Sequence, residues 1–197
     1  QEIKPHGLIS VPRIYERVYA KIKENLSTRP KWVRRMFHLA VDVGWQRFEY
    51  LQGRAKLPLL LFLWPLLKKL VADRITQGLG GNLLIAVSGG AALSPEISKV
   101  FVGLGVPIFQ GSGLTESSPI ISTNRLEENI PDSIGKPLPG IEVRIGDNDE
   151  LFARGENIML GYSKNQEATD ATIDKEGWLA TGDKARIEND FIYITGR

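Results

Sequence analysis

Three short segments of the chain combine glycines with hydroxyl or carboxylate side chains in a way that suits nucleotide chemistry. The first, Ser88–Leu93, follows an apolar run, and small residues at the end of a strand let a flat ligand approach the backbone closely. In the second, Gln110–Pro119, the Thr115 hydroxyl can donate to a phosphoryl oxygen, and the Glu116 carboxylate offers the hard oxygen ligand that Mg²⁺ prefers. The third, Gly177–Asp183, ends on an aspartate that can accept hydrogen bonds from ribose hydroxyls.

Each segment also has an interpretation without a ligand. A tight strand-to-helix turn needs glycine for its own geometry, and an aspartate after a glycine turn often serves only that turn. Gly111 and Gly113 do not complete a dinucleotide fingerprint, because Glu116 replaces the third glycine and no long helix is evident after it. The residue types alone leave both interpretations open.

The composition excludes several classes of function. The chain has 197 residues, 25 basic and 23 acidic side chains, and a formal net charge of +2. This balance argues against a nucleic-acid partner, which normally needs a concentrated basic surface. The absence of cysteine excludes disulfides and thiolate chemistry and suits a cytoplasmic protein. His6 and His38 have no partner at metal-ligand spacing, so we expect no zinc site.

The first 78 residues are predicted to form a helical segment. Apolar residues repeat at helical spacing between positions 11 and 22, and a second helix is predicted over Trp32–Leu51. The apolar face of the first helix consists of Val11, Ile14, Tyr15, Val18 and Ile22.

The most apolar stretch of the chain is Leu57–Leu67, which is followed by Lys68 and Lys69. A membrane-spanning helix needs about 20 apolar residues, and this run is shorter and contains Pro65. We expect a buried helical hairpin here. Peripheral contact of Leu57–Lys69 with a membrane surface, with the lysines near the lipid headgroups, is the second interpretation.

Residues 79–134 are predicted to form an α/β segment. Leu83–Val87 is a continuous apolar run, as in a strand that is buried on both faces. Ser94 is the expected cap of a helix whose apolar residues, at 97, 100, 101 and 104, lie on one face. Val106–Phe109 is the next expected strand, so the helix connects two strands as a parallel βαβ unit.

Residues 135–197 are predicted to form a mostly antiparallel β subdomain. Ile141–Ile145 alternates apolar and polar residues, and Gly146–Asp149 turns the chain toward Glu150–Ala153. Phe191–Ile194 is a further strand that follows a turn at Glu188–Asp190. The predicted fold class is therefore α/β, in the order helical lead-in, parallel βαβ segment and antiparallel β subdomain.

The motifs and their order resemble the adenylate-forming superfamily of acyl- and aryl-CoA synthetases, luciferases and peptide-synthetase adenylation domains. The helical lead-in that begins with Val11–Glu16 is similar to the long-chain fatty acyl-CoA synthetases in particular. The resemblance covers nearly the whole chain and implies part of the N-terminal domain of such an enzyme. The motifs are Ser88–Ala91, Gly111–Glu116, Gly135–Gly140, Arg154–Tyr162 and Thr181–Asp183.

The resemblance implies an enzyme that makes a carboxylate reactive by attaching it to AMP. The implied substrates and cofactors are ATP with Mg²⁺, a fatty acid or other carboxylic acid, and coenzyme A, whose thiol then forms the thioester. We therefore expect a long-chain fatty acid–CoA ligase. Two alternatives stay open: a medium-chain or aryl acid–CoA ligase, and a non-catalytic nucleotide-binding relative.

The resemblance also implies roles for individual residues. Thr115 and Glu116 are the implied catalytic residues, with Thr115 on phosphate and Glu116 on magnesium. Asp183 and Arg197 are the implied ribose contacts, and Ile194 is implied to pack near adenine. The residues implied to line the nucleotide pocket are Gly89, Gly90, Ala91, Gly111, Ser112, Gly113 and Leu114.

Ser112 departs from the family pattern, because this position is usually an aromatic residue that stacks on adenine. By analogy with base–aromatic stacking, the loss of this contact costs about 1 kcal/mol or more of binding free energy. We therefore expect weakened nucleotide binding.

We expect the chain to be an internal part of a longer enzyme. It has no initiator Met, and it lacks the phosphate loop that precedes this region in the family. Arg197 matches a position just before the hinge that leads to the family's C-terminal domain and its catalytic lysine. The 197 residues alone are therefore expected to be inactive in adenylation.

Overall fold

The computed structural model describes residues 4–197, so residues 1–3 of the predicted helical segment lie outside the described part. The chain divides into two compact units, Gln1–Phe109 and Gln110–Arg197. The fold is mixed α/β with parallel and antiparallel strand pairs, which confirms the predicted fold class. The finer division into segments 1–78, 79–134 and 135–197 stays a prediction.

The first unit begins with strand β1 (Gly7–Ser10) and two long helices, α1 (Pro12–Ser27) and α2 (Lys31–Leu51). Both predicted helices are confirmed, but the predicted face of α1 is partly wrong. Tyr15 is fully buried, whereas Val11 and Ile14 are exposed. Tyr19 packs against both hydrophobic clusters of this unit, so the buried face of α1 centres on two tyrosines that lie one turn apart.

The apolar stretch after α2 is not the buried hairpin that its composition predicts. It forms one irregular helical run whose α-helical parts are α3 (Trp64–Leu67) and α4 (Asp73–Thr76), joined by a π turn over Lys68–Ala72. Short 3₁₀ turns over Leu61–Leu63 and Gln77–Leu79 begin and end the run.

Only one side of this helical run contributes to the core. The buried residues are Trp64, Leu67, Val71 and Ala72, while Leu59 is 92% and Phe62 is 74% exposed. The hairpin prediction is wrong because the run supplies one buried stripe rather than two packed helices. Within residues 4–197, no helix is long and apolar enough to cross a membrane.

The predicted βαβ segment appears as β2 (Ile85–Ser88), α5 (Pro95–Gly103) and β3 (Ile108–Ser112). β1 and β2 pair in parallel, and the Ala86 amide donates to the Pro107 carbonyl at 2.9 Å. The division between the two units falls inside β3, after Phe109.

Two details of this segment differ from the prediction. Ile85 is exposed while Ala86 is fully buried, so β2 is not buried on both faces within this chain. Ser94 occupies the N-cap position of α5, but its side chain makes no capping hydrogen bond. The apolar face of α5 is as predicted, since positions 97, 100, 101 and 104 are all buried.

Two glycines allow α2 and α5 to cross at close range. A Cβ atom on Gly44 would overlap the carbonyl group of Gly103, and a Cβ atom on Gly103 would lie 2.5 Å from the carbonyl oxygen of Val41. Real Cβ atoms essentially never approach another heavy atom under 3.0 Å. The crossing therefore requires the absence of a side chain at both positions.

The second unit contains two antiparallel arrangements. The end of β3 pairs with β4 (Ser122–Thr123), which pairs with β5 (Lys136–Pro137). Four further strands pair in chain order, and helix α6 (Gln166–Thr172) lies between the second and third of them in sequence. These strands are β6 (Glu142–Ile145), β7 (Glu150–Arg154), β8 (Leu179–Glu188) and β9 (Phe191–Gly196).

The turns that connect β6 to β7 and β8 to β9 lie where the sequence predicts them. Asn148 and Asp149 have φ values of 57° and 62°, and Asn189 and Asp190 have φ values of 50° and 67°. Asn and Asp tolerate this left-handed conformation better than other non-glycine residues, which explains their place in both turns.

Replacement of Gly44 or Gly103 by alanine is expected to destabilise the protein, because the new methyl group must push α2 and α5 apart. Overpacking of this kind costs about 1–3 kcal/mol in the free energy of unfolding, which urea denaturation measures. Gly78→Ala is the matched control, since a Cβ atom there would meet nothing within 4 Å. Equal stability of Gly44→Ala and Gly78→Ala would contradict the close crossing.

Candidate nucleotide-binding site

The first candidate segment leaves β2 in a tight turn. The Gly89 amide donates to the carbonyl oxygen of Ser10 at 3.1 Å, which extends the β1–β2 pairing by one residue. Gly90 has a φ of +82°, a conformation that glycine adopts without steric cost. Gly90 and Ala91 are exposed, so their backbone is accessible to a ligand. These residues belong to the first unit, and all other candidate residues belong to the second.

The second candidate segment begins at the end of β3, where two glycines allow close backbone contacts. A Cβ atom on Gly111 would lie 2.9 Å from the carbonyl oxygen of Ser122, and one on Gly113 would overlap the carbonyl group of Pro119. Ser112 lies between them, half-buried, and its carbonyl accepts from the Ile121 amide at 2.9 Å. The glycines are thus required by the fold of this loop, whether or not a ligand binds.

Thr115 and Glu116 lie in a short 3₁₀ turn, Thr115–Ser117, directly after this strand end. The Leu114 amide donates to the buried hydroxyl of Ser117 at 2.9 Å, and this hydroxyl also lies 3.0 Å from the Pro119 carbonyl. Thr115 is exposed and Glu116 is half-buried. Thr115 and Glu116, the implied phosphate and magnesium contacts, therefore lie at the surface of a loop that the buried Ser117 hydroxyl stabilises.

A second segment of the chain, Asn157–Tyr162, binds this loop along its length. The Asn157 amide group donates to the carbonyls of Ser117 at 2.8 Å and Ile120 at 3.1 Å. The Met159 backbone amide donates to the Glu116 carbonyl at 2.8 Å, and the Tyr162 hydroxyl donates to Glu116 Oε1 at 2.8 Å. Both the backbone and the side chain of Glu116 are thus held by one segment.

The Tyr162 hydroxyl is a hydrogen-bond donor near pH 7, as a phenol of ordinary pKa already is, and the contact with Glu116 raises its pKa further. The hydrogen bond to Glu116 raises the pKa of Tyr162 above its ordinary value, desolvation raises it further, and a hydrogen bond with Thr172 acts in the opposite direction. A phenol whose pKa lies above about 10 is neutral near pH 7 and remains a donor there.

Asp183 and Arg197 come together although they are fourteen positions apart in sequence. Arg197 Nε lies 3.3 Å from Asp183 Oδ1, and the carboxylate is only 18% exposed while the guanidinium is largely exposed. The expected glycine turn before Asp183 is wrong, since Thr181, Gly182 and Asp183 all lie inside β8.

An irregularity of β8 sets the direction of Asp183. Gly182 has a φ of +70°, and the register with β9 shifts between Lys184 and Ala185. The Thr181 hydroxyl donates to the Leu151 carbonyl at 2.7 Å, and the Gly182 amide donates to a carboxylate oxygen of Glu150 at 3.0 Å. Bulges of this type are known to re-aim side chains at the edges of sheets and next to active sites.

Ile194, the implied neighbour of adenine, lies on β9 and is partly buried. It packs against the hydrophobic cluster formed by Ile134, Leu151, Ala185 and Ile192. Its side chain therefore has a structural role in the core of the second unit, beside any contact with a ligand.

The donor set at Glu116 fits a shared magnesium site. Within residues 4–197, no group of three or more His, Cys, Asp and Glu side chains could hold a metal ion by itself. Magnesium in ATP-dependent enzymes is usually bound by one or two carboxylates together with substrate phosphates and water. A single carboxylate beside an exposed threonine hydroxyl matches that arrangement, in which the nucleotide supplies most of the ligands.

Two features of the site were not predicted from the sequence. One is the contact of Asn157 and Tyr162 with the Glu116 loop, although both residues lie in the Arg154–Tyr162 motif. The other is buried Asn124, which accepts from the Ile130 amide at 2.9 Å and donates to the Ser133 carbonyl at 2.8 Å. A lone Asn in a polar loop gives no signal for such a role.

Comparisons with known proteins agree with these motifs. The family model described as AMP-binding enzyme matches residues 1–163. A long-chain-fatty-acid–CoA ligase, FadD15 of Mycobacterium bovis, is 34% identical over 195 residues, which are 98% of this chain and 32% of that protein. A probable acyl-activating enzyme 16 (chloroplastic) of Arabidopsis thaliana is 32% identical over 220 residues, covering 93% of this chain and 30% of that protein. The chain thus spans about a third of the length of these relatives.

Solved structures give the same result. The crystal structure of the anthranilate CoA ligase AuaEII in complex with anthranoyl-AMP matches 59% of this chain and 24% of that one, with a TM-score of 0.55 and 31% identity. The o-succinylbenzoate CoA synthetase MenE of Bacillus subtilis, in complex with ATP and magnesium ion, matches 59% and 27%, with a TM-score of 0.51 and 28% identity. Because the family model matches residues 1–163, most of the chain, the chain belongs to the AMP-binding enzymes of the adenylate-forming superfamily.

Proposed function

We propose that the chain is part of a long-chain fatty acid–CoA ligase that forms an acyl-adenylate. In the first step a carboxylate oxygen of the acid attacks the α-phosphorus of ATP, and pyrophosphate leaves. In the second step the thiol of coenzyme A attacks the acyl carbonyl, and AMP leaves with the bonding electron pair. The adenylate is needed because a free carboxylate has no adequate leaving group.

The ion pair between Asp183 and Arg197 carries this proposal. The two residues match separate ribose-contact motifs of the family, and Arg197 Nε lies 3.3 Å from Asp183 Oδ1. A carboxylate can accept hydrogen bonds from both hydroxyls of a ribose, and the adjacent guanidinium restricts the direction of that carboxylate. We assign the two residues to ribose binding.

We assign Glu116 to magnesium and Thr115 to phosphate. The exposed Thr115 hydroxyl is free to donate to a phosphoryl oxygen, and the half-buried carboxylate beside it is held by Asn157–Tyr162. Magnesium would stabilise the negative charge that develops on the phosphate oxygens. The residues that we assign to the nucleotide pocket are Gly89, Gly90, Ala91, Gly111, Ser112, Gly113, Leu114 and Ile194.

The class of acid is supported by the curated relatives rather than by the geometry. The Mycobacterium bovis relative is named as a ligase of long-chain fatty acids, and this supports a long-chain substrate. The matched structure AuaEII is named as a ligase of anthranilate, which is an aryl acid, and this supports the alternative of an aryl substrate. A non-catalytic nucleotide-binding relative is the remaining alternative, for which Ser112 is the only indication.

We also propose that Leu57–Lys69 contacts an anionic membrane surface. Leu59 is almost fully exposed and Phe62 largely exposed, and Lys56 and Lys69 flank them as exposed cations. Lys68 is partly neutralised by Asp73, whose carboxylate lies 3.4 Å away. Apolar side chains beside lysines suit shallow insertion below anionic headgroups.

In the complete gene product that contains these residues, Asp183→Asn and Glu116→Gln are expected to affect different kinetic constants. Loss of a charge-assisted ribose contact raises the KM for ATP about tenfold or more. Loss of the magnesium ligand lowers kcat about 100-fold. Steady-state release of pyrophosphate measures both constants. The exposed Glu127→Gln serves as the control, and equal behaviour of all three variants would contradict the assigned roles.

The rate of acyl-CoA formation with straight-chain acids of graded length and with benzoate-type acids distinguishes the substrate classes. The proposal predicts that kcat/KM is higher for long straight-chain acids than for medium-chain or aryl acids, because each added methylene that is buried contributes about 0.8 kcal/mol. A maximum with aryl acids would support the alternative, and no activity with any acid would support a non-catalytic relative.

Membrane contact is tested by co-sedimentation of the same protein with vesicles that contain phosphatidylserine. Phe62→Glu is expected to reduce the bound fraction several-fold, because it places a charge among inserted apolar groups and repels anionic lipid. Leu51→Glu changes an exposed apolar residue on α2 in the same way and is the control. Equal binding of the two variants would rule out Leu57–Lys69 as the contact.

A further inference from the structure

The Glu116 side chain has one carboxylate oxygen already occupied. The Tyr162 hydroxyl donates to Oε1 at 2.8 Å, which uses one lone pair of the carboxylate and leaves the others, including those of Oε2, for a cation. Hydrogen bonds to an ionised acceptor are shorter and stronger than neutral ones, and they restrict the rotation of the acceptor group. A glutamate on a surface loop would otherwise sample several rotamers, each with a different direction of its carboxylate.

Tyr162 is itself fixed by its own surroundings. Its backbone amide donates to the Thr169 hydroxyl at 2.9 Å, and that hydroxyl donates to the Asn165 carbonyl at 2.9 Å. The preceding Gly161 has a φ of +145°, and a Cβ atom there would lie 2.8 Å from the Thr169 side chain. The chain is therefore packed against the start of α6 immediately before Tyr162.

α6 gives this contact a rigid base. Asn165 caps the helix, since its side chain accepts from the Ala168 amide at 3.1 Å. Thr169 lies on this short helix, and its hydroxyl accepts the hydrogen bond of the Tyr162 backbone amide at 2.9 Å. The backbone of Tyr162 is thus held by one capped element.

We infer that Tyr162 is a positioning residue that orients the Glu116 carboxylate for magnesium binding. The inference rests on the proposed role of Glu116, and it adds a residue that lies 46 positions away in sequence. Tyr162 touches neither the nucleotide nor the metal in this scheme. It acts only through the direction of one carboxylate group.

The binding of a cation by Glu116 then depends on the phenolic hydroxyl. Groups that hydrogen-bond to a metal ligand typically change metal affinity or activity by about 10–100-fold when they are removed. Tyr162 is 37% exposed, so water can replace part of the contact and we expect the lower end of this range. The effect should appear at limiting metal and largely disappear at saturating metal.

The test uses Tyr162→Phe in the complete gene product, with Tyr50→Phe as the matched control. Tyr50 lies on α2 and is 39% exposed, so the control removes a hydroxyl of nearly equal exposure far along the chain. The rate of pyrophosphate release is measured against free Mg²⁺ at saturating ATP and acid. In parallel, electron paramagnetic resonance measures Mn²⁺ binding to the protein–ATP complex.

We expect Tyr162→Phe to raise the half-saturating concentration of Mg²⁺ and the dissociation constant of Mn²⁺ about tenfold. The kcat at saturating metal should change less than threefold or so, and the melting temperature should match that of Tyr50→Phe. A purely structural role would lower the melting temperature and leave the metal dependence unchanged. That result would overturn the inference.

Glu116→Gln separates this inference from the proposed function. If Glu116→Gln weakens Mn²⁺ binding to the protein–ATP complex while Tyr162→Phe binds Mn²⁺ as Tyr50→Phe does, the inference is wrong and the role of Glu116 stands. If Glu116→Gln binds Mn²⁺ and releases pyrophosphate normally, the role of Glu116 is wrong and the inference falls with it.

Discussion

The contact between Asn157–Tyr162 and the turn that carries Glu116 is the constraint on which the candidate site depends. A carboxylate binds a metal more tightly when its direction is fixed beforehand, because the cost of ordering a free side chain reduces the affinity. Here the backbone of Glu116 is held by Met159 and its side chain by Tyr162. Gly111 and Gly113, at the end of β3, allow close backbone contacts within the same loop. Thr115 and Glu116 follow these glycines and lie at the surface.

Much of the architecture follows from periodicity and turn chemistry. The helices α1, α2 and α5 lie where apolar residues recur at helical spacing, and the turn at Asn189 and Asp190 lies where those residue types predict one. The family motifs can also be read from the sequence, since small residues and a hydroxyl–carboxylate pair at strand ends are local features of the chain. Their sequence order was sufficient to indicate the superfamily.

Other features depend on partners that are distant in sequence, and local patterns do not contain them. The composition of Leu57–Leu67 predicts a buried segment. Only the side chains that pack against α2 and α5 are buried, and Phe62 is exposed. The turn expected before Asp183 is a strand irregularity, because Ala180 and Lys184 pair with Phe152 and Glu150 of β7 while the three residues between them are left out of the register. The hydroxyl of Tyr162 and the carboxylate of Glu116 are 46 positions apart in sequence, so no local pattern predicts their contact.

The proposed function depends on attack of the acid at the α-phosphorus of an ATP molecule that Glu116, Asp183 and Arg197 are proposed to bind. Isotope transfer tests this most directly. The complete gene product is incubated with ATP, Mg²⁺, coenzyme A and a fatty acid whose carboxylate carries ¹⁸O, and the phosphate-containing products are analysed by mass spectrometry. An acyl-adenylate mechanism predicts pyrophosphate together with AMP that contains one ¹⁸O atom. ADP with ¹⁸O in inorganic phosphate, or AMP without the label, would contradict it.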